Sequence, residues 1–249
     1  MIDTLSEVSF LQKGRGKDLV FLHGYLSCKE SFVKQIEYFS RFYRVTALDF
    51  LGFGKSAPLT QPFSVSDYAV WTREVLTALG VKEPHIVAHS FGCRVAVKMA
   101  GQDPDFFDKI LLTGAAGVIL KRSLSYKIKV KTYRFVRKFA SKFAERRFGS
   151  AEYKTLSPVM RESYKKIVNE DLRADAGKIE NPVLIVQGVQ DATTPLKEAQ
   201  AYLDCMKKGR LVKMNGGHFA FVDDPLTFNL IAEEFFYERT FTKSSGGRR

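Results

Sequence analysis

Short apolar runs alternate with helical periodicities along most of this chain. Leu19–Leu22, Val45–Phe50, His85–His89, Ile110–Leu112, Val183–Val186 and Leu211–Met214 are β-branched or apolar runs that read as buried strands. Between them Glu30–Phe39, Ser66–Leu79, Phe91–Gly101, Leu196–Met206 and Pro225–Tyr237 read as helices. In the second of these, Tyr68, Trp71, Val75, Leu76 and Leu79 recur along one helical face. Strand and helix in alternation, with short loops, predict a parallel sheet covered on both faces. Ahead of this, Glu7–Gln12 and Asp18–Leu22 flank Lys13-Gly14-Arg15-Gly16, which predicts an antiparallel hairpin at one edge.

The alternation breaks after Ala116. From Lys121 to Phe148 the pattern is that of a long basic amphipathic helix or helix pair, with Leu124, Ile128, Phe135, Phe139 and Phe143 near one face. Ser157-Pro158 opens a further helix through Val168, and strand character resumes at Pro182-Val183. The predicted organisation is therefore an α/β body (1–116 and 179–241) interrupted by a helical cap (117–178), with a disordered tail at 242–249.

Charge sharpens that division. The net +12 is concentrated, since Gly117 to Glu170 holds 15 Lys/Arg against 4 Asp/Glu and the remainder is near neutral. Length and composition are those of a globular protein large enough to need no covalent staple. No apolar run approaches the roughly 20 residues that span a bilayer, and Met1–Phe10 lacks the basic start of a signal peptide. Three cysteines without ligand spacing favour a reduced, cytoplasmic protein.

The chemistry centres on Ala88-His89-Ser90-Phe91-Gly92, where a strand gives way to a helix. A serine on such a tight turn presents its hydroxyl beyond the sheet edge, and the small residues two before and two after let the backbone pass closely. Serine at a helix start also serves as an N-cap, so the pentapeptide alone leaves both readings open. A catalytic serine needs a base and a group to orient it. Of four histidines, His23 follows a strand directly, His89 is beside the serine, and His85 starts the strand that leads to it. His218, in Asn215-Gly216-Gly217-His218-Phe219, lies between the last strand and the last helix. Asp191 lies just past the preceding strand, in Gly188-Val189-Gln190-Asp191. Ser90, Asp191 and His218 thus appear in nucleophile, acid, base order, each just beyond a strand.

With these residues the chain resembles the α/β-hydrolase superfamily over nearly its whole length. His23-Gly24-Tyr25 resembles the family's oxyanion loop, and Asp49-Phe50-Leu51-Gly52-Phe53-Gly54-Lys55-Ser56 its D-x-x-G-x-G-x-S loop. The first glycine of G-x-S-x-G is Ala88 here. The resemblance implies the α/β-hydrolase fold, a mostly parallel sheet with helices on both faces and a helical cap insertion. It further implies an oxyanion hole from the backbone N–H groups of Tyr25 and Phe91, and an acyl-enzyme mechanism on carboxylic esters. Related epoxide hydrolases and haloalkane dehalogenases place aspartate at the elbow, so Ser90 argues against both.

Other chemistries have thinner support. Gly54-Lys55-Ser56 mimics the end of a phosphate-binding loop, but Asp49 stands where that motif needs glycine. No His or Cys pair has metal-ligand spacing, so neither metal nor cofactor is expected. Cys28, Cys93 and Trp71 read as core. The basic cap reads either as a solvated face or as a surface for an acidic partner, such as acyl carrier protein, a coenzyme-A ester or an anionic lipid surface. Nucleic acid is not expected, because no stacking platform accompanies the charge. Small capped esterases that resemble this chain include pimeloyl–acyl carrier protein methyl ester esterases. Two further functions fit the same fold: a C–C bond hydrolase of the meta-cleavage-product type, which an arginine inside the pocket would favour, and a non-enzymatic ligand receptor.

Overall fold

A computed structural model describes residues 5–120 and 156–237. The predicted basic helix at Lys121–Phe148 and the predicted tail at 242–249 lie outside the described residues. Among those described, the strands are β1 (Phe10–Lys13), β2 (Asp18–Leu22), β3 (Arg44–Leu48), β4 (His85–His89), β5 (Ile110–Thr113), β6 (Val183–Gly188) and β7 (Gly209–Met214). They form one sheet in the order β1-β3-β2-β4-β5-β6-β7, parallel throughout except for β1. The helices are α1 (Val33–Phe39), α2 (Val65–Ala78), α3 (Phe91–Gln102), α4 (Pro158–Val168), α5 (Arg173–Ala176), α6 (Leu196–Leu203), α7 (Ala220–Asp223) and α8 (Pro225–Tyr237).

The period of two along each strand divides the core. In β2, Val20 and Leu22 face a cluster built with α2 and α3, which includes Tyr68, Val75, Val95 and Met99. Leu19 and Phe21 face the opposite cluster, formed with α1, the turn that leads into it and α8 through Phe32, Phe39, Phe228 and Phe235. Every residue of β2, β4, β5 and β6 is buried, which is why these strands carry apolar runs in place of alternation. Trp71 belongs to the first cluster, as its spacing predicts.

The first strand departs from expectation. β1 pairs antiparallel with β3, Phe10 opposite Leu48, and β2 lies between β3 and β4. The expected hairpin of β1 with β2 is therefore incorrect. A strand buried along its whole length needs neighbours on both sides, and β3 and β4 supply them, leaving the exposed β1 to cover the edge. The Gly14–Gly16 link then runs under the start of β3. Gly14 has φ +88° and passes so close that a Cβ would meet the carbonyl oxygens of Tyr43 and Ser40. A turn read as a hairpin is in fact a crossing.

Helix boundaries follow the sequence signals. Ser64 and Asp67 form a reciprocal capping box at the start of α2, and Ser157 caps α4 with Pro158 at its first position. The segment at Glu30 opens as a 3₁₀ turn (Lys29–Phe32) before α1 begins. There the Lys29 ammonium reaches buried Asp49 at 2.8 Å. Asp49 also accepts the backbone N–H groups of Lys29 and Lys55. The loop that mimicked a phosphate-binding motif is thus wound around its own aspartate.

Candidate active site

Six parallel strands direct their C-terminal ends to one edge, and the residues singled out in the sequence follow those ends: His23 after β2, Ser90 after β4, Asp191 after β6 and His218 after β7. Open α/β sheets bind ligands at this edge. A cavity of about 400 Å³ opens here, bordered by Tyr25, Ser90, Phe91, His218, Arg94 and Tyr164 among others. That is within the roughly 300–1,000 Å³ usual for small-molecule sites.

Ser90 has φ +49° and ψ −105°, a conformation that a non-glycine residue adopts only when its surroundings enforce it. The enforcement is visible two residues on. The Gly92 N–H donates to the carbonyl of His23 at 3.1 Å, and a Cβ on Gly92 would sit 2.3 Å from the carbonyl oxygen of Leu22. Only glycine lets α3 start this close to β2. Ser90 occupies the N-cap position, yet its side chain makes no cap hydrogen bond. The capping alternative is therefore not realised.

Asp191 and His218 meet directly. His218 Nδ1 donates to Asp191 Oδ2 at 2.8 Å, which leaves Nε2 as the acceptor nitrogen. Asp191 is itself held by four further donors. The Thr193 and Thr194 N–H groups bond Oδ1, while Gln187 Nε2 and the Thr194 hydroxyl bond Oδ2. Burial alone would raise this carboxyl, but the Thr194 N–H, His218 and the Thr194 hydroxyl outweigh it and hold it below the ordinary carboxylate value. His218 and Ser90 share the cavity wall, although no hydrogen bond joins Ser90 Oγ to the imidazole in this structure.

Two other histidines frame the site. His23 Nε2 accepts the Phe50 N–H at 3.1 Å, so Nδ1 carries the proton and donates to the Gly24 carbonyl at 2.7 Å. The ring thereby ties the loop bearing Tyr25 to the loop after β3. His89 Nε2 donates to the backbone carbonyl of His218 at 3.0 Å, which anchors the loop that carries the imidazole. Among the described residues, neither the Tyr25 nor the Phe91 backbone N–H makes a main-chain hydrogen bond. Tyr25 is fixed by its ring, which packs against Phe53, Phe91 and Tyr164, and by its hydroxyl, which donates to the Met160 carbonyl on α4.

Burial drives His23 down to about 4 and His89 to about 3. In the unfolded chain both return to the ordinary value near 6.5. Between those values the unfolded chain binds protons that the folded chain refuses, so stability falls as pH falls through this window. Thermal midpoints recorded from about pH 7 down to about pH 4 should decline steadily. A midpoint that holds constant over that range would contradict neutral, buried imidazoles.

The sequence reading did not find Gln187, Thr194 or the anchoring role of His89. A Thr three residues after Asp191 carries a faint signal, since Asp often folds back on the N–H groups that follow it. Gln187 carries none, because it reads as one more residue of β6. The arginine that borders the cavity is Arg94, which belongs to α3 and not to the predicted cap. Of the cysteines, Cys93 is fully buried and Cys28 only partly so.

A positive-φ serine between strand and helix, beside a histidine bonded to a buried aspartate, defines a recognisable architecture. Residues 18–163 match the alpha/beta hydrolase fold family, and the chain belongs to that family. A stretch of 101 residues is 30% identical to an (E)-2-((N-methylformamido)methylene)succinate hydrolase of Acinetobacter baylyi, spanning 41% of this chain and 38% of that protein. Among solved structures, an esterase from Exiguobacterium antarcticum superposes with a TM-score of 0.75 at 22% identity, covering 93% of this chain and 96% of that one. A meta-cleavage product hydrolase from Pseudomonas fluorescens gives a TM-score of 0.72 at 21% identity, covering 92% and 93%. Among the described residues, no helix is long and apolar enough to cross a membrane.

Proposed function

We propose that this chain is a cytoplasmic serine hydrolase that cleaves carboxylic esters through an acyl-enzyme. The observation that carries the reading is Ser90, uncapped on its strained turn, facing the same cavity as a histidine whose Nδ1 is bonded to Asp191. His218 Nε2 takes the Ser90 proton as Oγ attacks the acyl carbonyl, and Asp191 holds the tautomer. The Tyr25 and Phe91 N–H groups receive the oxyanion; fixed donors of this kind contribute about 2.7–4 kcal/mol each. His218 then protonates the departing alcohol. Water, deprotonated by the same imidazole, cleaves the acyl-enzyme and releases the acid.

Residues 117–178 form the cap over an acyl pocket in this reading, with 1–116 and 179–241 as the body. Hydrolysis of p-nitrophenyl esters from acetyl to palmitoyl tests the proposal. A measurable rate with a chain-length optimum supports it, and no rate from folded protein opposes it. The pimeloyl–acyl carrier protein methyl ester esterase branch and a carrier-borne substrate rest on the +11 of residues 117–170. If an acidic carrier docks there, activity on carrier-bound substrate drops steeply between about 0.05 and 0.5 M salt while activity on a neutral ester does not. Equal salt responses return the basic segment to a solvated face.

A second reading is C–C bond hydrolysis of the meta-cleavage-product type. What favours it is the inward Arg94, together with the likeness to a meta-cleavage product hydrolase structure.

A further inference from the structure

Arg94 follows Ser90 by four positions and lies in the first turn of α3, which Ser90 precedes. Both border the cavity. An arginine on a helix ordinarily extends to water, but only 9% of this one is exposed. Its Nη1 donates to the carbonyl oxygens of Ile167 at 2.8 Å and Glu170 at 3.0 Å, around the C-terminal end of α4. A helix end favours a cation there. Those two bonds occupy one of the three guanidinium nitrogens.

Among the described residues, Nε and Nη2 have no hydrogen-bond partner, and no carboxylate comes within ion-pair distance of Arg94. The contrast with Lys98, one turn further along the same helix, is direct. Lys98 is equally buried and is met by two carboxylates, Glu170 at 2.8 Å and Asp175 at 2.6 Å. Glu198 borders the cavity too. Its carboxyl is raised by burial and opposed in this by the charge of Arg94, yet the two do not pair. A guanidinium stays protonated, and a buried charge without its counterion is costly. Its remaining fork matches a carboxylate in two parallel hydrogen bonds.

We infer that Arg94 forms a carboxylate subsite in this cavity, so that the substrates are esters of acids bearing a second, free carboxylate. The substrate claim rests on the esterase reading of Ser90; the binding claim does not. Methyl hydrogen glutarate and methyl valerate have acyl chains of equal length and differ in that carboxylate. The test measures kcat/KM for both esters by methanol release in the native protein, Arg94→Gln and Arg94→Lys. Glutarate binding to Ser90→Ala and to Ser90→Ala/Arg94→Gln is followed by titration calorimetry.

The native protein should favour the glutarate half-ester tenfold or more. Arg94→Gln should bring that ratio to about one, and Arg94→Lys should retain part of it. A general loss of folding or activity leaves the ratio unmoved. Glutarate should bind Ser90→Ala and fail to bind the double variant. Equal ratios in all three proteins, or glutarate binding indifferent to Arg94, would show that Arg94 serves only as the cap of α4 and would overturn the inference. If neither ester is hydrolysed while glutarate binds through Arg94, the subsite stands and the esterase reading falls.

Discussion

Ser90→Ala should lower kcat/KM for p-nitrophenyl esters by about 10⁴–10⁶-fold, to the residual level that binding and oxyanion contacts sustain. The same variant should melt within about 2 °C of the native protein. These outcomes belong together, because among the described residues Ser90 makes no side-chain cap hydrogen bond that alanine would forfeit. The turn itself is imposed by the contact of Gly92 with β2, and alanine inherits the same φ. Loss of activity with a large loss of stability would place Ser90 in the structure and leave its chemistry unproven. Retained activity would end the assignment.

Asp191→Asn should cost about 10³–10⁴-fold in kcat. Its stability cost has a separate cause. Asp191 Oδ1 faces two backbone N–H donors, and Oδ2 faces Gln187, Thr194 and His218. An asparagine must turn its NH₂ toward one of these sets whichever way it flips. A buried donor opposed to donors costs about 1–3 kcal/mol, and each kcal/mol is worth roughly 2–4 °C in a domain of this size. Asp191→Asn should therefore melt several degrees lower, unlike Ser90→Ala. An Asp191→Asn variant that melts normally and turns over within tenfold of native would separate the carboxylate from both tasks. Thr194→Val and Gln187→Leu each remove one donor to Asp191 and should give intermediate losses in kcat.

The parallel sheet was legible because its strands are buried on both faces and so read as apolar runs. Those runs locate the loops, and the loops locate Ser90, Asp191 and His218. With only four histidines, the base emerged by position. The edge was not legible. β1 is four residues long and mostly exposed, so its pattern gave no partner, and a glycine-bearing link was read as a hairpin when it is a crossing. The shell around the acid was also hidden. Gln187 becomes visible only once β6 and the Asp191 turn are folded together, since its amide spans Asp191, Thr194 and Ala115. Arg94 was hidden for the same reason, since its burial depends on α4 arriving from some seventy residues away. Sequence periodicity reports one element at a time, and these contacts arise between elements.

The central claim is that Ser90 is a nucleophile activated by His218. The most direct measurement treats the native protein with a fluorophosphonate, reads the intact mass, and maps the modified peptide. A single adduct on Ser90, absent from Ser90→Ala and slowed in Asp191→Asn, is the predicted result. Folded protein that stays unlabelled, or that carries the adduct on another residue, would contradict the account.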